Sequence, residues 1–289
     1  MIQEIEAKTI LSKLRGKDNM FGLTYNMNLY RGCQHGCIYC DTRSECYGVG
    51  DISRISVKTN AIELLAKELK SKRTKGTIGT GSMNDPYMPV ETELQMTRKA
   101  LTVIAEAKYP VHVITKSDAV MRDYDLLQEI SKTYTAVSIT ITTANDMLSK
   151  KLEPGAPPSS SRFKAIEFLA SKGIYTGITL MPLLPFINDD AMNIAEIVTQ
   201  AKQVGAAYII PMFGVTMRKG SRDFLYKAFD KQFTGMKDRY EKVFGEQYIC
   251  NSPNYKLLEN TFFNEARKLE VPAFMQFYSP QENKQLTLF

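Results

Sequence analysis

Residues 30–46 read YRGCQHGCIYCDTRSEC and hold four of the chain's five cysteines. Cys33, Cys37 and Cys40 fall in a C-x3-C-x2-C spacing that puts three thiolates on one small loop. Thiolates are soft ligands suited to zinc or to iron–sulfur clusters. A structural zinc site closes with four protein ligands, and His35 or Cys46 would have to supply the fourth. A cube cluster held by three thiolates leaves one iron open to a small molecule, and the spacing favours that arrangement. His35 is then a residue that shapes the loop or faces solvent. Cys46 and Cys250 are read as packing residues, because free cysteine is among the most buried side chains. Five is an odd count, which argues against a disulfide framework.

Beyond this loop, helical and extended patterns alternate. Ile62, Leu65, Ala66 and Leu69 recur at helical spacing after Asn60, read as the helix cap. Phe163, Ile166, Leu169 and Ala170 do the same after a serine run. Six β-branched runs lie between such segments: GLTYNMNLY, TIGTGS, VHVITK, AVSITIT, TGITLMPL and AAYIIPMF. Strands alternating with helices predict an α/β fold with a parallel sheet, and six units wound in one direction predict an open or partial (β/α)6 barrel. In AVSITIT, Val137, Ile139 and Ile141 share one face while Ser138, Thr140 and Thr142 share the other. The first face is expected under helices and the second around a polar cavity. Lys116 shares a face with His112 and Ile114, which aims its ammonium at the mouth of the barrel. From about Val215 onward the chain turns aromatic and charged, with helices and no further strand. The expected organisation is a barrel over 1–214, a helical extension over 215–278 and a flexible tail over 279–289.

The chain of 289 residues is 44% hydrophobic, enough for a sizeable core. Its net charge of +6 is compatible with a polyanionic partner, although scattered surface lysines give the same total. No signal-peptide core and no apolar run long enough to cross a bilayer is found, so a cytoplasmic location is the expectation.

The three-cysteine spacing after a first strand, with Tyr39 just before the last cysteine, resembles the signature of the radical S-adenosylmethionine (SAM) superfamily. Within it, NLYRGCQHGCIYCDTR, TGSMNDPYMPVE, ITKSDAVMRDYDLL, VSITITT and LEPGAPPSSSRFKAIEFLASKGI resemble the spore photoproduct lyase-like branch, a group also labelled DNA repair photolyase-like. The resemblance implies a 4Fe-4S cluster on Cys33, Cys37 and Cys40 whose open iron binds SAM. It implies reductive cleavage of SAM to a 5'-deoxyadenosyl radical that abstracts hydrogen from a substrate, with an electron donor such as flavodoxin or ferredoxin. It also implies Tyr39 against adenine, Ser82, Asn84 and Asp85 facing the methionine part, and Lys116 and Ser138 on SAM; Met181, at the end of the fifth run on the face of Gly177 and Thr179, is placed to pack against adenine. Thr140 shares the face of Ser138, Arg162 is a candidate partner of the SAM carboxylate, and Gly177 would let the ligand approach the backbone. One departure stands out: Ser82 or Met83 occupies the place where spore photoproduct lyase carries a hydrogen-donating cysteine. A serine O–H bond is too strong for that role.

The final residues, QLTLF, resemble the pentapeptide by which bacterial repair proteins bind the DNA sliding clamp, with Gln285, Leu286, Leu288 and Phe289 as contacts. The leading expectation is a radical SAM enzyme acting on nucleic acid in DNA repair or modification. The alternatives are an enzyme of the same superfamily acting on a peptide, tRNA or metabolite, and a non-catalytic iron–sulfur accessory protein of the replication or repair machinery.

Overall fold

The computed structural model describes residues 2–280; the clamp-like residues Gln285, Leu286, Leu288 and Phe289 lie outside them. In chain order the strands are β1 (Gln3–Ile5), β2 (Leu11–Lys13), β3 (Tyr25–Met27), β4 (Tyr30–Arg31), β5 (Ser56–Lys58), β6 (Ile78–Thr80), β7 (Val111–Thr115), β8 (Thr135–Thr140), β9 (Thr176–Leu180), β10 (Ile209–Pro211), β11 (Gly214–Thr216) and β12 (Ile249–Asn251). The helices are α1 (Ala61–Ser71), α2 (Glu91–Leu94), α3 (Met96–Glu106), α4 (Tyr124–Ser131), α5 (Asp146–Leu152), α6 (Ser159–Ser171), α7 (Ala191–Gln203), α8 (Ser221–Gln232), α9 (Met236–Phe244) and α10 (Tyr255–Lys268).

The main sheet runs β10-β9-β8-β7-β6-β3-β2. Its first six strands are mutually parallel and each overlaps one of the six expected runs, β8 starting one residue early at Thr135, while β2 adds an antiparallel edge. Sequential parallel neighbours joined through helices give an open α/β barrel. The register pairs Ile114 with Ser138 and Ser138 with Gly177, so these positions share one level of the interior. Val137, Ile139 and Ile141 are fully buried in the large core with Ile166, Leu169, Ile194 and Ile197 of the covering helices, as their alternation predicts.

Two local expectations are corrected. Asn60 precedes α1 but makes no side-chain cap bond. Its amide instead grips Ala7, accepting from the Ala7 N–H at 2.9 Å and donating to the Ala7 carbonyl at 3.0 Å, which ties the N-terminal segment down. The region after Val215 is not strand-free, because β11 and β12 form an antiparallel ribbon. Three-residue strands are too short to display a period-two pattern. Behind the ribbon, Leu225, Phe229, Tyr240 and Phe244 of α8 and α9 pack in one apolar cluster with Cys37, Ile38, Tyr39 and Leu152. The C-terminal helices therefore buttress the cysteine loop directly. Cys250 is fully buried in that cluster, and burial pushes its thiol up from the usual range.

Candidate functional site

A pocket of about 330 Å³ opens where the parallel strands end. The cysteine loop, the segments after β6 and β7, and the ends of β8 and β9 form its barrel wall; Cys33, Cys37, Tyr39, Asp85, Lys116 and Thr140 represent each part. Position at the carboxyl ends of parallel strands is the usual place for a site in an α/β fold. The loop reaches it because Gly32 adopts φ +83°, where a side chain would strike the Ile52 and Arg54 carbonyls.

Burial, with the Asp85 charge beside it, pushes the Cys33 thiol up to about 11, and burial raises Cys37 further still. Thiols raised in this way need a cationic centre to become thiolates. Among the described residues no three His, Cys, Asp or Glu groups converge as a single ion requires. A cube cluster, carrying each thiolate on a separate iron, fits this donor set.

Asp85 is 8% exposed and both of its oxygens are engaged. One accepts from the Thr115 hydroxyl at 2.6 Å and the Tyr87 N–H at 2.8 Å; the other accepts from the Lys116 N–H at 2.7 Å and lies 3.3 Å from His35 Nδ1. Burial alone would raise this carboxyl, but His35, Thr115 and the Lys116 amide outweigh it and hold the group well below the ordinary carboxylate range. Asp85 thus buckles the loop after β6 to the end of β7 and to the cysteine loop. Asn84 donates to the Tyr30 carbonyl at 2.8 Å, and Ser82 pairs with Asn26 at the open edge.

Tyr39 lies in the wall with its hydroxyl bonded to Glu153. Glu153 is paired at 2.5 Å with Arg162, both fully buried. The remaining Arg162 donors go to the Thr140 carbonyl at 2.9 Å and the Pro157 carbonyl at 2.8 Å. The expectation that Arg162 meets a ligand carboxylate is therefore corrected: its partner is Glu153, and it acts behind Tyr39. Lys116, the one lysine or arginine lining the pocket among the described residues, sits 5.7 Å from the Tyr39 ring centre.

Ser138 needs a second correction. It is fully buried below the pocket, 2.8 Å from both His112 Nε2 and the Tyr208 hydroxyl. Burial drives His112 down to about 3, so its imidazole is neutral there. Gly177, on the same level, leaves space for the Tyr208 ring and not for a ligand; a Cβ would lie 2.4 Å from that ring. Thr142 hands its carbonyl to Asn188 at 2.7 Å and does not line the pocket. Tyr39, Ser82, Asn84, Asp85, Lys116, Thr140 and Met181 are thus brought together around the cysteines, and Ser138 and Arg162 stand outside. Sequence reasoning missed Glu153, although an acid in the quoted LEPG stretch ahead of Arg162 was its available signal. It also missed Tyr47, Met212, Val215 and Thr216 in the lining.

A buried three-cysteine loop at the strand ends of an open α/β barrel defines an iron–sulfur enzyme that leaves room for a small molecule beside its cluster. The model of the Radical SAM superfamily matches residues 27–198, and the chain belongs to that superfamily, whose cofactors are a 4Fe-4S cluster and SAM. It is similar to an uncharacterised protein of Methanocaldococcus jannaschii, with 29% identity covering 86% of this chain and 88% of that one. It is also similar to a Radical SAM Nalpha-GlyT isomerase of Pseudomonas phage M6, with 28% identity over 70% of this chain and 42% of the phage protein. Among solved structures, spore photoproduct lyase complexed with dinucleoside spore photoproduct shares the fold at a TM-score of 0.69 and 16% identity, over 93% of this chain and 79% of the other. A double mutant of that lyase with bound AdoMet and the same dinucleoside reaches a TM-score of 0.72 at 16% identity, over 96% and 82%. No helix among the described residues is long and apolar enough to cross a membrane.

Proposed function

We propose that this radical SAM enzyme acts on a nucleic-acid substrate, in repair or modification of DNA. The observation that carries the reading is the single pocket wall on which the three cysteines, Tyr39, Asp85 and Lys116 meet. When bound, the cluster and SAM supply the electron and the carbon radical for hydrogen abstraction. Cys33, Cys37 and Cys40 hold the cluster. Lys116 offers a cation to the carboxylate of SAM, Tyr39 and Met181 offer apolar surface to its adenine, and Asn84, Thr140 and the Asp85 buckle set the strand ends against it. The apolar packing of α8 and α9 under the loop keeps water from that side.

One likeness supports nucleic acid over peptide or metabolite: the dinucleoside spore photoproduct held by the lyase structures that share this fold. Ser82 and Met83 at the site's edge leave no thiol there to return a hydrogen atom. The reaction therefore differs from lesion reversal through a cysteine at that position.

The test is anaerobic turnover of the reconstituted enzyme with a strong reductant, measuring 5'-deoxyadenosine while DNA, tRNA, peptides and metabolites are screened. DNA is expected to stimulate deoxyadenosine formation and to incorporate the hydrogen change. Stimulation by a peptide or metabolite alone would overturn the nucleic-acid assignment. DNA binding is expected to weaken steeply with salt, since phosphate contacts dominate such affinity.

A further inference from the structure

Part of the pocket lining comes from outside the cysteine spacing and the parallel strands. Tyr47 follows the cysteine loop, and Met212, Val215 and Thr216 come from β11 and the turn before it, beyond the residues that match the superfamily model. These residues bring neither a cluster ligand nor a cation to the lining, which leaves them for a substrate. Of the two tyrosines lining the pocket, Tyr39 is buried and committed to Glu153, whereas Tyr47 is 40% exposed.

The Tyr47 ring is held in place from its far end. Its hydroxyl donates to Asp41 Oδ2 at 3.0 Å and accepts from Arg218 Nη1 at 2.6 Å. Arg218 in turn bonds the Tyr248 hydroxyl at 2.8 Å and lies 4.6 Å from the Tyr248 ring centre, so cysteine loop and ribbon jointly fix it. The backbone is fixed as well: Tyr47 ends a tight turn that Gly48 closes at φ +61°. An exposed aromatic face that is already immobile loses little entropy when a flat partner covers it.

We propose that Tyr47 is the stacking platform for an unpaired nucleobase of the substrate, with the apolar side chains of Met212 and Val215 completing that part of the lining. This rests on the nucleic-acid reading above and deepens it. A base suits the site because its π face covers an aromatic ring without needing hydrogen-bond partners, a contact worth about 1–3 kcal/mol on alanine substitution. The guanidinium of Arg218, 34% exposed at the rim, lies where a flanking phosphate would enter.

The experiment measures binding of the dinucleotide thymidylyl-thymidine to the holoenzyme, cluster and SAM present, by anaerobic calorimetry. Wild type, Tyr47→Phe, Tyr47→Leu and Tyr47→Ala are compared, each checked for full cluster absorption. Tyr47→Phe keeps the ring and loses the hydroxyl contacts; it is expected to bind within about threefold of wild type. Tyr47→Leu and Tyr47→Ala are expected to bind about tenfold or more weakly. Equal binding by wild type and Tyr47→Ala overturns the platform while leaving the nucleic-acid reading standing. A loss in Tyr47→Phe as large as in Tyr47→Ala also overturns it, because the hydroxyl network and not the ring would then matter. Should wild type bind no dinucleotide, the nucleic-acid reading fails first and the platform with it.

Discussion

Two buried polar layers lie in the same barrel, one level apart, and they are built on opposite plans. In the lower layer Ser138 bonds both His112 Nε2 and the Tyr208 hydroxyl, although His112 Nδ1 has no partner, and Gly177 makes room for the Tyr208 ring. In the upper layer Lys116 has no carboxylate within ion-pair distance among the described residues, and His35 Nε2 is buried without a hydrogen-bond partner while its Nδ1 faces Asp85 at 3.3 Å. Buried polar groups that satisfy one another hold a fold together; those left unsatisfied mark where a ligand belongs. Thr140 and Ser138 are two residues apart on one face of one strand, yet they fall on different sides of that boundary.

The hardest way to break the comparison is to remove a group that only the bound state satisfies. Cys37→Ala is expected to abolish the visible absorption of the reconstituted cluster and all deoxyadenosine formation. Retention of full absorption would remove Cys37 from the ligand set. A smaller effect is expected behind the wall. Arg162→Ala strands Glu153 as a buried charge, which costs about 3–5 kcal/mol. In a chain of this size that corresponds to a fall in Tm of roughly 10 °C. If Arg162→Ala melts like wild type and instead loses SAM affinity, Arg162 is a ligand contact after all, and the pairing with Glu153 is not its main role.

The sequence was readable to the depth of faces but not of layers. Alternation in AVSITIT identifies which side chains turn inward, and the parallel strands and their helical cover follow from the same patterns. Alternation says nothing about depth along the barrel axis, because Ser138 and Thr140 carry the same signal. Depth depends on which neighbours reach across, and Tyr208, just ahead of β10, and His112 on β7 have no local link to Ser138. The same blindness hid the role of Glu153, which lies in the loop after α5 and finds Tyr39 from a distance of 114 residues. The cysteine loop was the most readable part because its pattern is local: three cysteines within eight residues need no long-range partner to be recognised.

The smallest expected effect is the most direct probe of the boundary. Ser138→Ala deletes a hydroxyl that bridges His112 Nε2 and the Tyr208 hydroxyl, leaving the imidazole nitrogen without its partner while Tyr208 keeps a 3.3 Å contact to the Val137 carbonyl. Loss of one such buried hydrogen bond costs about 1–3 kcal/mol of stability. Because the serine lies outside the pocket lining, SAM affinity measured by equilibrium dialysis is expected to stay within about twofold of wild type. Lys116→Ala supplies the contrast: it removes a pocket cation, and its loss is expected in SAM affinity more than in melting temperature. If Ser138→Ala instead weakens SAM tenfold with no change in melting, the lower layer belongs to the binding site and the division between the two layers collapses.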